Sequence, residues 1–297
     1  MVTVRVMKPS PIQDVADTAY MIAAYRAVES RRPDALFRDP FAERLAGEQG
    51  QAILQRLARR VGVGWTVAIR TVLIDEFIAA AIAEGAETVL NLGAGLDARP
   101  YRLELPPELR WIEVDYAKTI EAKEAVLAGE KPRCRLERVK LDLADRSARA
   151  KLFASVVTGS RGILVLTEGV VPYLPVEEVA SLADDLRRLP AVRWWVIDYF
   201  SKEALRYRKR KSELKFIQNA PFKFDPPDWF AFFEQHGWHA AEVKYLTEEG
   251  TRLKRPIDLP WFWKLAFIAR MLFMSAARRE RMKKFTAYVL LRPNDAK

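Results

Sequence analysis

The feature that most limits how this chain can fold is a short apolar run that stops on two glycines: Thr88-Val-Leu-Asn-Leu92, then Gly93-Ala94-Gly95. Such a run, bounded by a turn signal, is too short for a helix and reads as a buried parallel strand. In open α/β sheets, ligands bind beyond the carboxyl ends of the strands, and glycines there remove the Cβ atoms that would hold a nucleotide off the backbone. A nucleoside-bearing cofactor is therefore expected on Gly93 and Gly95. Two cofactor classes compete. Gly93, Gly95 and Ala98 fit G-x-G-x-x-G/A, and Asp115 lies 22 residues past Gly93, as in dinucleotide-binding folds. Those folds place a full helix directly after the glycines, its N-terminus facing a pyrophosphate. Here Pro100, Pro106 and Pro107 precede the next strand and leave room for about two helical turns, which favours a cofactor without a pyrophosphate.

Downstream the pattern alternates. Strands are expected over Arg110–Asp115, Leu136–Leu141, Gly162–Thr167 and Val192–Tyr199, separated by helices over Tyr116–Gly129, Arg146–Thr158 and Val176–Leu189. That rhythm implies right-handed crossovers and an α/β fold, Rossmann-like, with a mostly parallel sheet covered on both faces. It sets Gly93, Asp115, Asp142 and Glu168 on one edge of the sheet. Two late strands, Ala241–Leu246 and Phe285–Leu291, bring the sheet to seven strands, the last able to insert antiparallel.

Helices are expected from Asp14 to Val28, after Asp39-Pro40-Phe41, over Gln51–Arg60 and over Thr66–Ala83. Residues 1–85 thus read as a helical cap packed on the core, and 86–297 as the core itself. Lid insertions are expected at about 201–225 and 250–283, the second with a helix over Leu265–Ala277 and an aromatic cluster of Trp261, Phe262, Trp263 and Phe267.

Composition narrows the function. Half of the 297 residues are apolar, enough for one large domain. A single cysteine, Cys134, excludes internal disulfides and Cys-based zinc clusters, and two histidines leave little for a metal site, so no metal is expected. No apolar run reaches the roughly 18 residues needed to cross a bilayer, and a signal-peptide core is missing, so a cytoplasmic protein is expected. The net charge of +10 gathers in residues 202–215 and 278–284. Apart from Tyr207 these clusters carry no aromatic side chains for stacking bases, so nucleic acid is not the favoured partner, while peripheral membrane contact stays open. Oligomeric state is not legible.

The strand-end acids have uses if the ligand is S-adenosylmethionine. A carboxylate at Asp115 can accept both ribose hydroxyls. Asp142 suits the adenine amino group, with Leu143 against the ring, and Glu168 suits the methionine ammonium or the substrate. Arg70, in an otherwise apolar helix, is placed for the cofactor carboxylate. Each residue also has a plainer reading: Asp142 or Asp145 as a helix cap, Arg70 paired with Asp75 or Glu76.

Leu92-Gly-Ala-Gly-Leu-Asp97, Arg99-Pro-Tyr-Arg102, Glu113-Val-Asp115, Thr167-Glu-Gly169 and Tyr173-Leu174 resemble the leucine carboxyl methyltransferase family, in particular its bacterial branch of S-adenosylmethionine-dependent O-methyltransferases. Asp17-Thr-Ala19, Arg26-Ala27, Glu29-Ser30 and Leu36-Phe-Arg-Asp-Pro40 resemble the same branch. The resemblance covers most of residues 14–200 and fades from Ser201 to Lys284 apart from Gly237-Trp238. It implies the class I methyltransferase fold and S-adenosyl-L-methionine as cofactor. Carried over by position, it implies Arg70 for the cofactor carboxylate with Arg26 assisting, Gly93 and Gly95 for the backbone approach, and Asp115 for the ribose. Asp142 and Leu143 then hold the adenine, and Glu168 lies near the amino group.

The expected reaction is O-methylation of a small-molecule carboxylate or hydroxyl acceptor, with Glu168 and Tyr173 as acceptor-side catalytic candidates. A carboxylate acceptor needs no base at neutral pH, whereas a hydroxyl does. His236 and His239 are nominal bases only, since Gln235-His-Gly-Trp-His239 reads as a helix end followed by a strand. An NAD-type oxidoreductase and a non-enzymatic polyanion- or lipid-binding protein are the alternatives.

Overall fold

The structure, a computed structural model, describes residues 16–57, 62–212, 221–257 and 274–294. In chain order its elements are α1 (Ala16–Ser30), α2 (Ala42–Leu57), α3 (Val63–Ala83), β1 (Thr88–Leu92), α4 (Arg99–Arg102), β2 (Arg110–Asp115), α5 (Ala117–Val126), β3 (Arg135–Lys140), α6 (Arg146–Val157) and β4 (Ile163–Thr167). There follow a single 3-10 turn over Val171–Tyr173, α7 (Val176–Arg187), β5 (Val192–Phe200), α8 (Lys202–Ser212), α9 (Trp229–Gln235), β6 (Trp238–Tyr245), α10 (Leu246–Arg252), α11 (Ala276–Lys283) and β7 (Thr286–Pro293).

The strands form one seven-stranded sheet in the order β3-β2-β1-β4-β5-β7-β6. β1 to β5 run parallel, and β7 inserts antiparallel between β5 and β6. β1 and β4 are buried at every residue, as continuous apolar runs in a two-faced parallel sheet should be. β3, at the edge, alternates between exposed and half-buried.

Helices α6, α7 and α9 cover one face, where Phe153, Leu182 and Phe233 pack on Leu90, Val165 and Trp195. The other face is covered mainly by α3, whose Ile69, Leu73, Phe77 and Ile78 meet Val89, Leu164, Trp194 and Leu290. The N-terminal helices thus meet the rest of the chain in two ways. α3 is a layer of the core, whereas α1 and α2 pack on each other and on the Gly93 side of the sheet through Ala23, Ala24, Leu45 and Leu96.

Two local expectations change. The short helix after Pro40 and the one over 51–60 are a single element, α2, kinked where Gly47 leaves helical geometry at φ 53°. Leu246 starts α10 rather than ending a strand, because the β6 strand closes at Tyr245 against Ala287. The basic run at 278–284 forms the exposed helix α11, capped by the Ser275 side chain on the Arg278 amide. The helix expected over Leu265–Ala277 lies mostly outside the described residues, as does the cluster of Trp261, Phe262, Trp263 and Phe267.

Candidate functional site

The carboxyl ends of β3, β2, β1 and β4 stand side by side, so the turn after β1 is flanked by acids from its neighbours. β1 turns sharply because the Gly93 and Ala94 amides both donate to the Val114 carbonyl of β2, at 2.8 and 3.1 Å. Asp115 then closes the turn: its Oδ2 accepts from the Gly95 amide at 2.7 Å and its Oδ1 from the Tyr116 amide at 2.7 Å. Only one helical turn, α4, follows the glycines. The full helix that a dinucleotide pyrophosphate would use is therefore missing.

The glycines are required by the fold itself, whatever ligand approaches them. Gly93 has φ +70°, and a Cβ there would lie 2.3 Å from Cγ2 of Val170; Gly95 has φ +49°, with its Cβ direction toward Ala19. The protein's own side chains fill those directions, so backbone handedness and packing explain the residue type.

Behind the turn lies a buried ionic network. Arg70 of α3 reaches Glu168 at the end of β4, 2.9 Å away, and Arg99 reaches the other oxygen of Glu168 at 2.8 Å. Arg99 also binds Asp97 at 2.9 Å and Asp75 at 2.6 Å, and Asn91 donates to Asp97 at 3.1 Å. Burial pushes the Glu168 carboxyl up, but Arg70 and Arg99 outweigh it and hold Glu168 below the usual carboxylate range. Among the described residues Arg70 pairs with neither Asp75 nor Glu76, and its buried Nε lacks a hydrogen-bond partner, as do Arg102 Nε, Trp111 Nε1 and Arg255 Nη1. A buried guanidinium N–H left unpaired is costly, and of these groups Arg70 is the one that pairs with the strand-end acid Glu168.

The other expected residues fall as follows. Arg26 does not meet Arg70: its Nε binds Asp39 at 2.9 Å and its Nη2 donates to the Leu96 carbonyl at 2.5 Å, so it braces the glycine turn from behind. Asp142 is exposed and accepts from the Ala144 amide, while Asp145 caps α6. Leu143 packs on the core beside it. Tyr173 sits on the 3-10 turn with its ring edge-on to Phe222, centroids 5.1 Å apart. His236 pairs with Asp184 and His239 with Asn294, at the opposite edge of the sheet near the start of β5, far from this chemistry.

Sequence reading missed Asp97, Arg99, Tyr116 and Asp198. The run Asp97-Ala-Arg99-Pro carried a signal for the first two, since charges beside a glycine turn are candidates for its buried support. Tyr116, exposed although aromatic, directly follows Asp115, and its hydroxyl meets Asp142. Asp198 lies at the end of β5, accepting from the Gly169 amide at 2.7 Å and from the Tyr288 hydroxyl at 2.8 Å. Burial pushes its carboxyl up to about 6 against the pull of Arg70. It borders a cavity of about 230 Å³ between α8 and α9, lined also by Pro172, Phe200, Leu205, Phe224 and Trp229.

A seven-stranded sheet in this order, with an antiparallel β7 and a ligand edge built around a glycine turn after β1, is the class I methyltransferase architecture. A Thermobifida fusca protein assigned as a methyltransferase has the same fold (TM-score 0.56, 14% identity, 98% of this chain and 97% of that one). So has a DUF574 family protein from Streptomyces avermitilis (TM-score 0.53, 14% identity, 92% and 96%).

The leucine carboxyl methyltransferase family model matches residues 19–187. A Mycobacteroides abscessus protein assigned as an S-adenosyl-L-methionine-dependent methyltransferase is 30% identical over 82% of this chain and 90% of its own length. A Mycobacterium marinum protein of the same description is 33% identical over 78% and 84%. The chain belongs to the leucine carboxyl methyltransferase family and is a methyltransferase.

Proposed function

We propose that this enzyme transfers the methyl group of S-adenosyl-L-methionine to an oxygen of a small-molecule acceptor, a carboxylate or a hydroxyl. The methyl donor follows from the family and from the names of its relatives; the oxygen, the acceptor class and the residue roles are the proposal. One observation supports the residue roles: the Arg70–Glu168 pair beside the glycine turn, with Arg70 Nε buried and, among the described residues, unpaired. An amino-acid zwitterion complements that pair. Its carboxylate matches Arg70 and its ammonium matches Glu168, which keeps Arg99 as a second partner. In the same reading Asp115 accepts the ribose hydroxyls with the lone pairs its backbone bonds leave free, and Asp142, Leu143 and Tyr116 receive the adenine.

When bound, the cofactor supplies an electrophilic methyl on a sulfonium with a good leaving group. The chain's own task is then to hold the donor in line with the acceptor oxygen and to exclude water. A carboxylate acceptor needs no further help. For a hydroxyl, two described acids line the cavity beyond β5, Asp198 and Asp228; Asp228 caps α9 through the Phe230 and Ala231 amides, so the proton is assigned in this reading to Asp198.

Calorimetry with S-adenosylhomocysteine tests the site. Wild type should bind, and Arg70→Ala should weaken binding by roughly 1.5–3 kcal/mol. Failure of wild type to bind, or unchanged affinity in the variant, would refute the assignment. Incubation of the wild type with a labelled methyl donor and a metabolite library tests the acceptor, because esters are cleaved by mild base and ethers are not. Label carried only on nitrogen or sulfur would refute oxygen as the acceptor atom.

A further inference from the structure

Two side chains on the acceptor side have no hydrogen-bond or ion-pair partner among the described residues, and both rest on the same aromatic ring. Arg208 of α8 lies over Phe222 with its guanidinium carbon 3.7 Å from the ring centroid. Tyr173 meets Phe222 edge-on, and Phe200 packs against it at 4.8 Å. Among the described residues no carboxylate pairs with Arg208 and no group hydrogen-bonds the Tyr173 hydroxyl. The contrast with the rest of the basic helix is direct: Lys202 and Lys209 are both committed to Asp225, at 2.7 and 2.9 Å. These contacts fix α8 over the 222–226 stretch, which is itself tied to the 3-10 turn by the Lys223 amide donating to the Pro172 carbonyl at 2.8 Å.

The cluster adjoins the methyl-transfer site: Tyr173 sits on the 3-10 turn that follows Glu168, and Pro172 and Phe200 line the same cavity as Asp198, which accepts from the Gly169 amide. Arg208 is half-buried, and burial holds its guanidinium below its ordinary basicity. A guanidinium stacked on a ring keeps its edge N–H groups free, and the fork they form fits a planar carboxylate. One arginine supplies charge for a monoanion and one phenol a hydrogen bond; a phosphate dianion would call for more cations.

Resting on the methyl-transfer reading above, we propose that Arg208, seated on Phe222 beside Tyr173, is the specificity-determining residue that binds a carboxylate of the acceptor. The Phe200, Phe222 and Leu205 side chains then meet the acceptor's apolar body. The enzyme would select monoacids over their neutral amides, and the selection would reside in α8, outside the part of the chain that builds the cofactor site.

The test uses the full-length protein saturated with S-adenosylhomocysteine and a panel of acids, acetate, octanoate and phenylacetate, each with its amide. In wild type at least one acid should bind about tenfold or more tightly than its amide, the range for a charge-assisted pair. Arg208→Gln should erase that preference. Tyr173→Phe, which keeps the ring on Phe222, should reduce it in part, and Arg206→Gln, on the same helix but exposed, should keep it. Unchanged affinity for S-adenosylhomocysteine in Arg208→Gln would show that fold and cofactor site are intact, so loss of the preference can be assigned to the anion site. The proposal is overturned if no acid in the panel is preferred over its amide by wild type, or if the preference survives in Arg208→Gln. Failure of methyl transfer to oxygen would instead count against the underlying reaction and leave this binding result readable.

Discussion

Replacing Asp115 by alanine separates its two tasks, and the structure sets the size of each. Its carboxylate accepts the Gly95 and Tyr116 amides at 2.7 Å each, one per oxygen, which leaves lone pairs for two ribose hydroxyls. Tyr116 is 57% exposed and Gly95 is only partly buried, so water can replace the lost acceptor at both amides. The cost to folding should be about 1 kcal/mol, seen as a fall of a few degrees in thermal unfolding. The ribose contacts are charge-assisted, and their loss should weaken S-adenosylhomocysteine binding by roughly 1.5–3 kcal/mol, about ten- to 150-fold in Kd.

Affinity alone cannot tell a lost ribose contact from a loosened turn, so a cycle with the 2′,3′-dideoxy analogue of S-adenosylhomocysteine is needed. Wild type should prefer the natural ligand by about the same factor that the mutation costs. Asp115→Ala should bind both ligands within about threefold of each other, since the group that tells them apart is gone. If the variant retained the full preference, the ribose would be held elsewhere and Asp115 would be only the latch of the glycine turn. Such a result would falsify the ribose assignment without touching the fold.

Gly93→Ala should destabilise the protein by at least about 1–2 kcal/mol from its left-handed φ, with a further contact penalty against Val170. Val170→Ala in the same chain should recover the contact part only; purely additive unfolding energies would refute the clash. Glu113→Gln should cost about 3–5 kcal/mol in denaturant unfolding, because it leaves the fully buried Lys123 ammonium, 2.6 Å away, without its anion. Arg138 loses the same anion, so a loss under about 1 kcal/mol would refute the claim that these buried cations depend on this carboxylate. Asp198 has a carboxyl raised from 3.8 to about 6, so the folded state holds its proton more tightly and stability falls as pH rises from about 4 to 6. Asp198→Asn should flatten that part of the stability-pH curve and be stabilising by up to roughly 3 kcal/mol above pH 6, since a shift of one pKa unit is about 1.4 kcal/mol. An unaltered slope between pH 4 and 6 would assign the dependence to other groups.

What the sequence determined by itself is whatever depends on neighbours along the chain. The apolar run Thr88–Leu92, its glycine stop and the strand-helix rhythm through Phe200 are local signals, and they were enough for strand direction, face coverage and the edge that gathers Gly93, Asp115, Asp142 and Glu168. An arginine in an otherwise apolar helix singled out Arg70, and motif spacing supplied the family, which implies the same residue. Only the tertiary structure decided how those residues are used. Val170 crowding Gly93, Arg70 and Arg99 sharing Glu168, and Arg208 and Tyr173 meeting on Phe222 all join residues far apart in the chain, through side-chain directions that no period encodes. The same holds for Asp198, an acid inside the apolar strand Val192–Phe200 that has its meaning only because the antiparallel register sets Tyr288 opposite it. Strand formation is fixed by local pattern, but the charge state and partner of a buried group are fixed by what the fold brings within a few ångströms of it.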